Sequence, residues 1–155
     1  MLNPISRRNI VIALGVVPLV LLLTCYEACA VGPVALQPLY TAIGAVESGN
    51  NDAQIGDHGK AIGRYQIHYD HWFDATHDAG GRRTHPGCYR DCLKPVYAQQ
   101  VMRWYWERYV PQALAAGDYA TLARNHHTYR GERLAATLPY WQRVQQAIAG
   151  EDGHD

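Results

Sequence analysis

The sequence predicts a mostly helical α+β domain with one small β element near residues 55–68. Three observations carry that expectation. Apolar residues recur at helical spacing in several separate stretches. One strand-like run, Ala61-Ile62-Gly63-Arg64-Tyr65-Gln66-Ile67-His68, follows a polar Gly-rich segment. The 155 residues fit a single domain, with no internal repeat.

The chain opens on Arg7 and Arg8, an apolar run from Ile10 to Leu23, and Ala28-Cys29-Ala30. This order of basic, apolar and small-residue regions reads as a secretory signal peptide over residues 1–30. The apolar run is shorter than the ~20 residues needed to span a bilayer. Arg7-Arg8 also fits a twin-arginine signal, and Leu22-Leu23-Thr24-Cys25 resembles a lipoprotein box that would anchor the chain at Cys25. Either way the protein is expected to be exported, periplasmic or extracellular, with membrane contact only through this segment or a lipid on Cys25.

The formal net charge is zero, and losing residues 1–30 leaves one more acidic than basic residue. Nothing in that balance points to nucleic acid. Tyr (11) and Trp (4) are frequent whereas Phe (1) is rare. Such aromatics suit a carbohydrate or peptide groove, and equally an ordinary core.

From residue 31 to 150 the elements follow in order. Leu36, Leu39, Tyr40, Ile43 and Val46 trace one face of a helix. Ser48-Gly49-Asn50-Asn51 stops it, with Gly49 available for a left-handed cap. Asn50 to Lys60 is a loop or hairpin, and residues 61–68 form the strand. Asp70 to Asp78 makes a short helix, then residues 79–88 a loop. Lys94 to Val110 is the clearest amphipathic helix, burying Tyr97, Val101, Trp104, Tyr105 and Arg108 along one stripe, with Trp106 and Tyr109 beside it. Pro111 marks its end. Asp118 caps a helix through His126, and Thr128 to Arg133 is a polar turn. Leu134 to Ile148 is helical, with Pro139 kinking it or sitting in the first turn of a helix capped by Thr137. Residues 151–155 are an acidic tail.

Cys88 and Cys92 remain after signal removal. In an exported chain they are expected to form a disulfide. Free thiols, or zinc with His85, are the other readings, and no second CxxC is present to complete a zinc site. His68 and His71 stand at i,i+3, a conceivable but incomplete metal pair. No metal or cofactor is therefore expected. Ser48 with a histidine could be drawn as a nucleophile and base, but no G-x-S-x-G elbow supports it.

Chemistry is expected from carboxylates. Glu47 falls in the last turn of the first helix, where the helix dipole disfavours the anion. Burial acts in the same direction, so Glu47 is expected to stay protonated and serve as a general acid. Asp57, in the next loop, could face it across a cleft, with Asp52 as the competing second carboxylate. Two such groups suit hydrolysis of a glycosidic bond.

Val46-Glu47-Ser48-Gly49 and Gly63-Arg64-Tyr65-Gln66-Ile67 together resemble the active-site region of the lysozyme-like superfamily, closest to invertebrate-type (destabilase-like) lysozymes. Tyr69 to Ala75, Tyr105-Trp106-Glu107-Arg108-Tyr109, Ala123-Arg124-Asn125-His126 and Ala136 to Val144 resemble further family segments in the same order. The resemblance implies a lysozyme-like fold and a monomeric enzyme that cleaves β-1,4 bonds of peptidoglycan or a related amino-sugar polysaccharide. Glu47 matches the general acid and Asp57 the second carboxylate. Ser48, Tyr65, Gln66, His126 and Tyr140 would contact substrate. Two departures stand out: the family is rich in disulfides, and its Asn-Gly-Gly after the histidine is replaced by His127-Thr128-Tyr129. The Glu47 region also resembles lytic transglycosylases, which need one carboxyl only. A non-catalytic wall-binding module on the same scaffold is a third reading.

Overall fold

A computed structural model describes residues 35–128 and 134–151. The expected signal peptide, the Cys25 anchor, most of the polar turn before Leu134 and the end of the acidic tail lie outside the described residues. Among the described residues, no helix is long and apolar enough to cross a membrane.

The chain is mostly helical with a small three-stranded antiparallel sheet. Helix α1 (Gln37–Ser48) carries Pro38 in its first turn, where a missing N–H costs no helical bond. It ends as expected at Gly49, which adopts φ 62°. The Gly49 and Asn50 amides donate back to Ala45 and Gly44, satisfying carbonyls that the helix end leaves open.

The β element is more broken than the sequence run implied. Strands β1 (Ile55–Gly56), β2 (Ala61–Ile62) and β3 (Ile67–His68) pair in the order β1-β2-β3. Ile62 faces Ile55 on one side and Ile67 on the other. A 3-10 turn (Asp57–Gly59) joins β1 to β2. Residues 63–66 turn β2 into β3, closed by the Gln66 amide donating to the Gly63 carbonyl at 3.1 Å. Gly63 is required there on two counts. Its φ is 76°, and a Cβ on it would collide with the Cys92 carbonyl oxygen.

Helix α2 (Tyr69–Thr76) follows β3 directly. A 3-10 turn (Tyr89–Leu93) leads into α3 (Pro95–Tyr109). Pro111 does end α3, but it also opens a helix that the sequence reading missed, α4 (Pro111–Ala116), which Gly117 closes at φ 66°. The Asp118 side chain accepts from the Thr121 amide and caps α5 (Tyr119–His127). A 3-10 turn (Leu134–Thr137) precedes α6 (Leu138–Glu151), so Pro139 sits in a first turn rather than at a kink. Helix α6 runs on through Gly150 to Glu151, past the expected end at Ile148.

The core joins α1, α3, α5 and α6 through Leu39, Ile43, Val101, Met102, Leu122 and Val144. Tyr40 stacks on Trp106, centroids 5.7 Å apart. The buried stripe of α3 is rotated from the expected one. It runs through Ala98, Val101, Met102, Tyr105 and Trp106, while Arg108 is exposed. Arg108 is recruited instead by polar groups: its Nη1 donates to the carbonyls of Asp74 and His77, both at 2.6 Å, at the end of α2.

The expected Cys88–Cys92 disulfide is not formed; both are free thiols. Cys88 is exposed and caps its own 3-10 turn, its sulfur accepting from the Asp91 amide while its amide donates to Asp91 at 2.8 Å. Cys92 faces the core, where burial pushes its thiol up to about 12. One sulfur therefore looks outward and the other inward.

Candidate active site

Glu47 leaves the last turn of α1 toward a cavity of about 290 Å³. Asp57, Ala61, Gln66, His68, His126 and His127 complete its lining. The helix end and the small sheet thus bring both expected carboxyls to one space. Asp57 sits in the turn after β1 at φ 44°, its side chain 52% exposed, with an oxygen 3.8 Å from His68 Nε2. Glu47 is more sheltered, at 18%. Asp52 is occupied elsewhere, accepting from Arg64 Nε at 2.6 Å. Among the described residues, the non-glycine positions with positive φ are Asn50, Asp57, His58 and Gln66. All fall between α1 and β3, the stretch that supplies Asp57, Ala61 and Gln66 to this cavity, and such conformations persist only where neighbours enforce them.

The electrostatics of Glu47 correct the sequence expectation. Burial is the largest single influence and pushes the carboxyl up. The His127 imidazole, the nearby His126 and the Tyr140 hydroxyl together outweigh it, so Glu47 lies below the ordinary glutamate value. His127 Nδ1 is 3.8 Å from Glu47 Oε1, an ion-pair distance rather than a hydrogen bond. The His126 contribution is conditional. Burial drives that imidazole below its own ordinary value, so its charge beside Glu47 arises only on acidification.

The other expected contact residues divide. His126 lines the cavity and is buried, with Nε2 3.1 Å from the Tyr65 carbonyl. A carbonyl only accepts, so Nε2 carries the proton and Nδ1 keeps a lone pair, buried without a hydrogen-bond partner. Gln66 lines the cavity too, anchored by its Nε2 donating to the Gly63 carbonyl at 2.8 Å.

Ser48, Tyr65 and Tyr140 do not line the cavity at Glu47. Ser48 Oγ donates to the Arg64 carbonyl at 2.8 Å and accepts from the Asn51 amide at 3.0 Å. It ties the loop after α1 to the sheet, which also removes it as a nucleophile candidate. Tyr65 is buried, its hydroxyl accepting from Gln99 at 2.7 Å. Tyr140 is buried behind Glu47, and its ring stacks on His127 at 4.0 Å. Its hydroxyl has no partner at close hydrogen-bond geometry but favours the Glu47 anion through a weaker O–H contact, and burial first, then the Glu47 charge, raises Tyr140 well above the usual phenol range.

No family model, curated protein or solved structure matches the chain.

Two cavity residues had no assigned role here in the sequence. His68 appeared only as half of a metal pair, and His127 only as a departure from the family pattern. Strand alternation around Ile67 puts His68 on the open face, which was a usable signal. For His127 nothing local sufficed, because its partner Tyr140 comes from another helix. Among the described residues, no group of three or more His, Cys, Asp or Glu side chains is arranged to hold a metal ion. His85, the third residue of the zinc alternative, packs on Trp104 at 4.2 Å.

Proposed function

We propose that this chain is an exported lysozyme-like glycoside hydrolase that cleaves β-1,4 bonds of peptidoglycan. The observation that supports this best is the shared cavity of Glu47 and Asp57. A helix-end glutamate facing a small antiparallel sheet also suits a lysozyme-like arrangement. Protonated Glu47 gives its proton to the glycosidic oxygen as the bond to the anomeric carbon breaks. Asp57 attacks that carbon or stabilises its positive charge. Water then supplies the hydroxyl, and Glu47 takes the proton back. Asp57 is the more exposed of the two carboxyls and Glu47 the more sheltered, but the groups around Glu47 favour its anion, so the acid role is expected to operate at acidic pH.

A second reading is lytic transglycosylation through Glu47 alone. It is favoured by the exposure of Asp57 and its engagement with His68. There a hydroxyl of the muramic residue attacks in place of water, leaving an anhydro end. Digestion of purified peptidoglycan followed by mass spectrometry separates the two. Reducing ends are expected, and anhydro ends would establish the alternative. Glu47→Gln should lower the rate by about 10²–10⁴-fold with an unchanged melting temperature. If the wild type releases no fragments from any peptidoglycan, both enzyme readings fail and a wall-binding module is left.

A further inference from the structure

The sheet places a histidine beside the second carboxyl. Asp57 follows β1 directly, and His68 ends β3. Gly56 opposes Ala61, and Ala61 opposes His68, so the three form one rung across the sheet. The two residues between Asp57 and His68 on that path are small. Ala61 lines the cavity with a methyl group only, which leaves room above the rung. Asp57 starts its turn in the left-handed region, at φ 44°, and His58 follows at φ 54°. Across this gap Asp57 Oδ2 stands 3.8 Å from His68 Nε2. A carboxylate can only accept, so the nitrogen facing it carries the proton.

Stability does not account for this pair. Its side chains are 52% and 51% exposed, and ion pairs so open to water contribute little to folding. Its location is more informative. Both members border the cavity that Glu47 borders. His68 also borders a hollow with Asp70, but among the described residues the carboxylate within ion-pair distance of it is Asp57. An exposed aspartate is free to turn about its side-chain bonds. A group that must meet a reacting carbon cannot be, since misplacement by about 1 Å costs on the order of 10²-fold in rate.

We infer that His68 is a positioning residue for Asp57, its imidazole holding the Asp57 carboxylate turned into the cavity to meet the anomeric carbon as Glu47 protonates the leaving oxygen. The inference rests on the hydrolase reading above and adds a side chain to it. His68 itself touches no reacting atom and transfers no proton. It acts on the rate only through Asp57.

That dependence is testable by a double-mutant cycle. Soluble uncrosslinked peptidoglycan strands are digested by the wild type, His68→Ala, His68→Gln, Asp57→Asn and the double variant His68→Ala with Asp57→Asn, and kcat and KM are read from released reducing ends. His68→Ala should lower kcat about tenfold and leave KM within about twofold. His68→Gln, which keeps a side-chain N–H donor, should recover most of the loss. With Asp57→Asn already present, His68→Ala should change kcat no further. Melting temperatures should match the wild type throughout. An unchanged kcat in His68→Ala overturns the inference, as does a loss confined to KM, which would make His68 a substrate contact. Losses that multiply in the double variant overturn it too, because His68 would then act independently of Asp57. In each of these cases a cleaving wild type leaves the hydrolase reading standing. A wild type that releases no reducing ends overturns both.

Discussion

Glu47 is held between opposing influences, and the substitution that separates them is at His127. Burial opposes the Glu47 anion, while His127, His126 and Tyr140 favour it. A general acid acts in its protonated form, so kcat/KM should fall as pH rises through the Glu47 titration. Removing the His127 imidazole takes away a group that lowers Glu47. His127→Ala should therefore shift that falling limb to higher pH, read from a pH–rate profile. An unmoved or acid-shifted limb would show that His127 does not govern Glu47. The two candidate partners of Glu47 separate by the same logic. Asp57→Asn should depress turnover and leave stability nearly unchanged, since Asp57 is half exposed. Asp52→Asn should leave turnover nearly intact and cost about 0–1 kcal/mol, the usual worth of a part-exposed ion pair, here with Arg64. Rates paired with urea denaturation check both, and the reverse pattern would make Asp52 the partner.

At the scale of elements, the turns of the sheet bring Asp57 and Gln66 to the cavity that Glu47 borders, and Gly63 is a tight joint in that sheet. The residue turns β2 into β3 and lies against the Cys92 backbone at positive φ. Gly63→Ala should cost about 2 kcal/mol or more, from conformational strain together with displacement of the 3-10 turn (Tyr89–Leu93). Equilibrium denaturation measures it, and a change below about 0.5 kcal/mol would show that the turn relaxes freely. Much of this element level was legible in the sequence. Gly49 as a left-handed cap, Asp118 as an N-cap and the existence of a lone β element follow from local stereochemistry. The division of residues 61–68 into two strands was less legible, because the turn is set by the Cys92 backbone beneath Gly63. Helix α4 escaped for a different reason: Pro111 terminates one helix and starts the next, and both roles look alike locally.

On the scale of the whole molecule, two buried imidazoles tie stability to pH. His71 stacks on Tyr105 at 3.9 Å and meets His126 edge-on at 5.3 Å. Burial lowers His71 well below its ordinary value of 6.5, and the His126 charge adds to this while Asp74 opposes it. Burial likewise lowers His126, with Glu47 opposing. A histidine depressed in the folded state binds protons more readily when unfolded. Both therefore contribute nothing to the pH dependence well above 6.5, and native stability falls as pH drops through that value toward their folded-state titrations. Urea denaturation between about pH 6.5 and 5 should show this loss, and His71→Phe should flatten it. A flat wild-type profile in that window would mean that both imidazoles are protonated without cost.

The sequence by itself determined the class of fold, most helix boundaries and the placing of Glu47 at a helix end followed by a Gly-rich turn. Those features depend on periodicity, caps and turns, which act over a few residues. Tertiary structure decided what surrounds Glu47. His127 and Tyr140 come from α5 and α6, and their approach reverses the direction in which its carboxyl shifts. It also decided that Asp57 shares the cavity while Asp52 turns to Arg64, that Ser48 and Tyr65 serve the scaffold, and that Cys88 and Cys92 stay apart. Each outcome depends on which side chains meet across elements distant in the chain. Burial and Coulomb interactions at those meetings, rather than local propensity, set their chemistry.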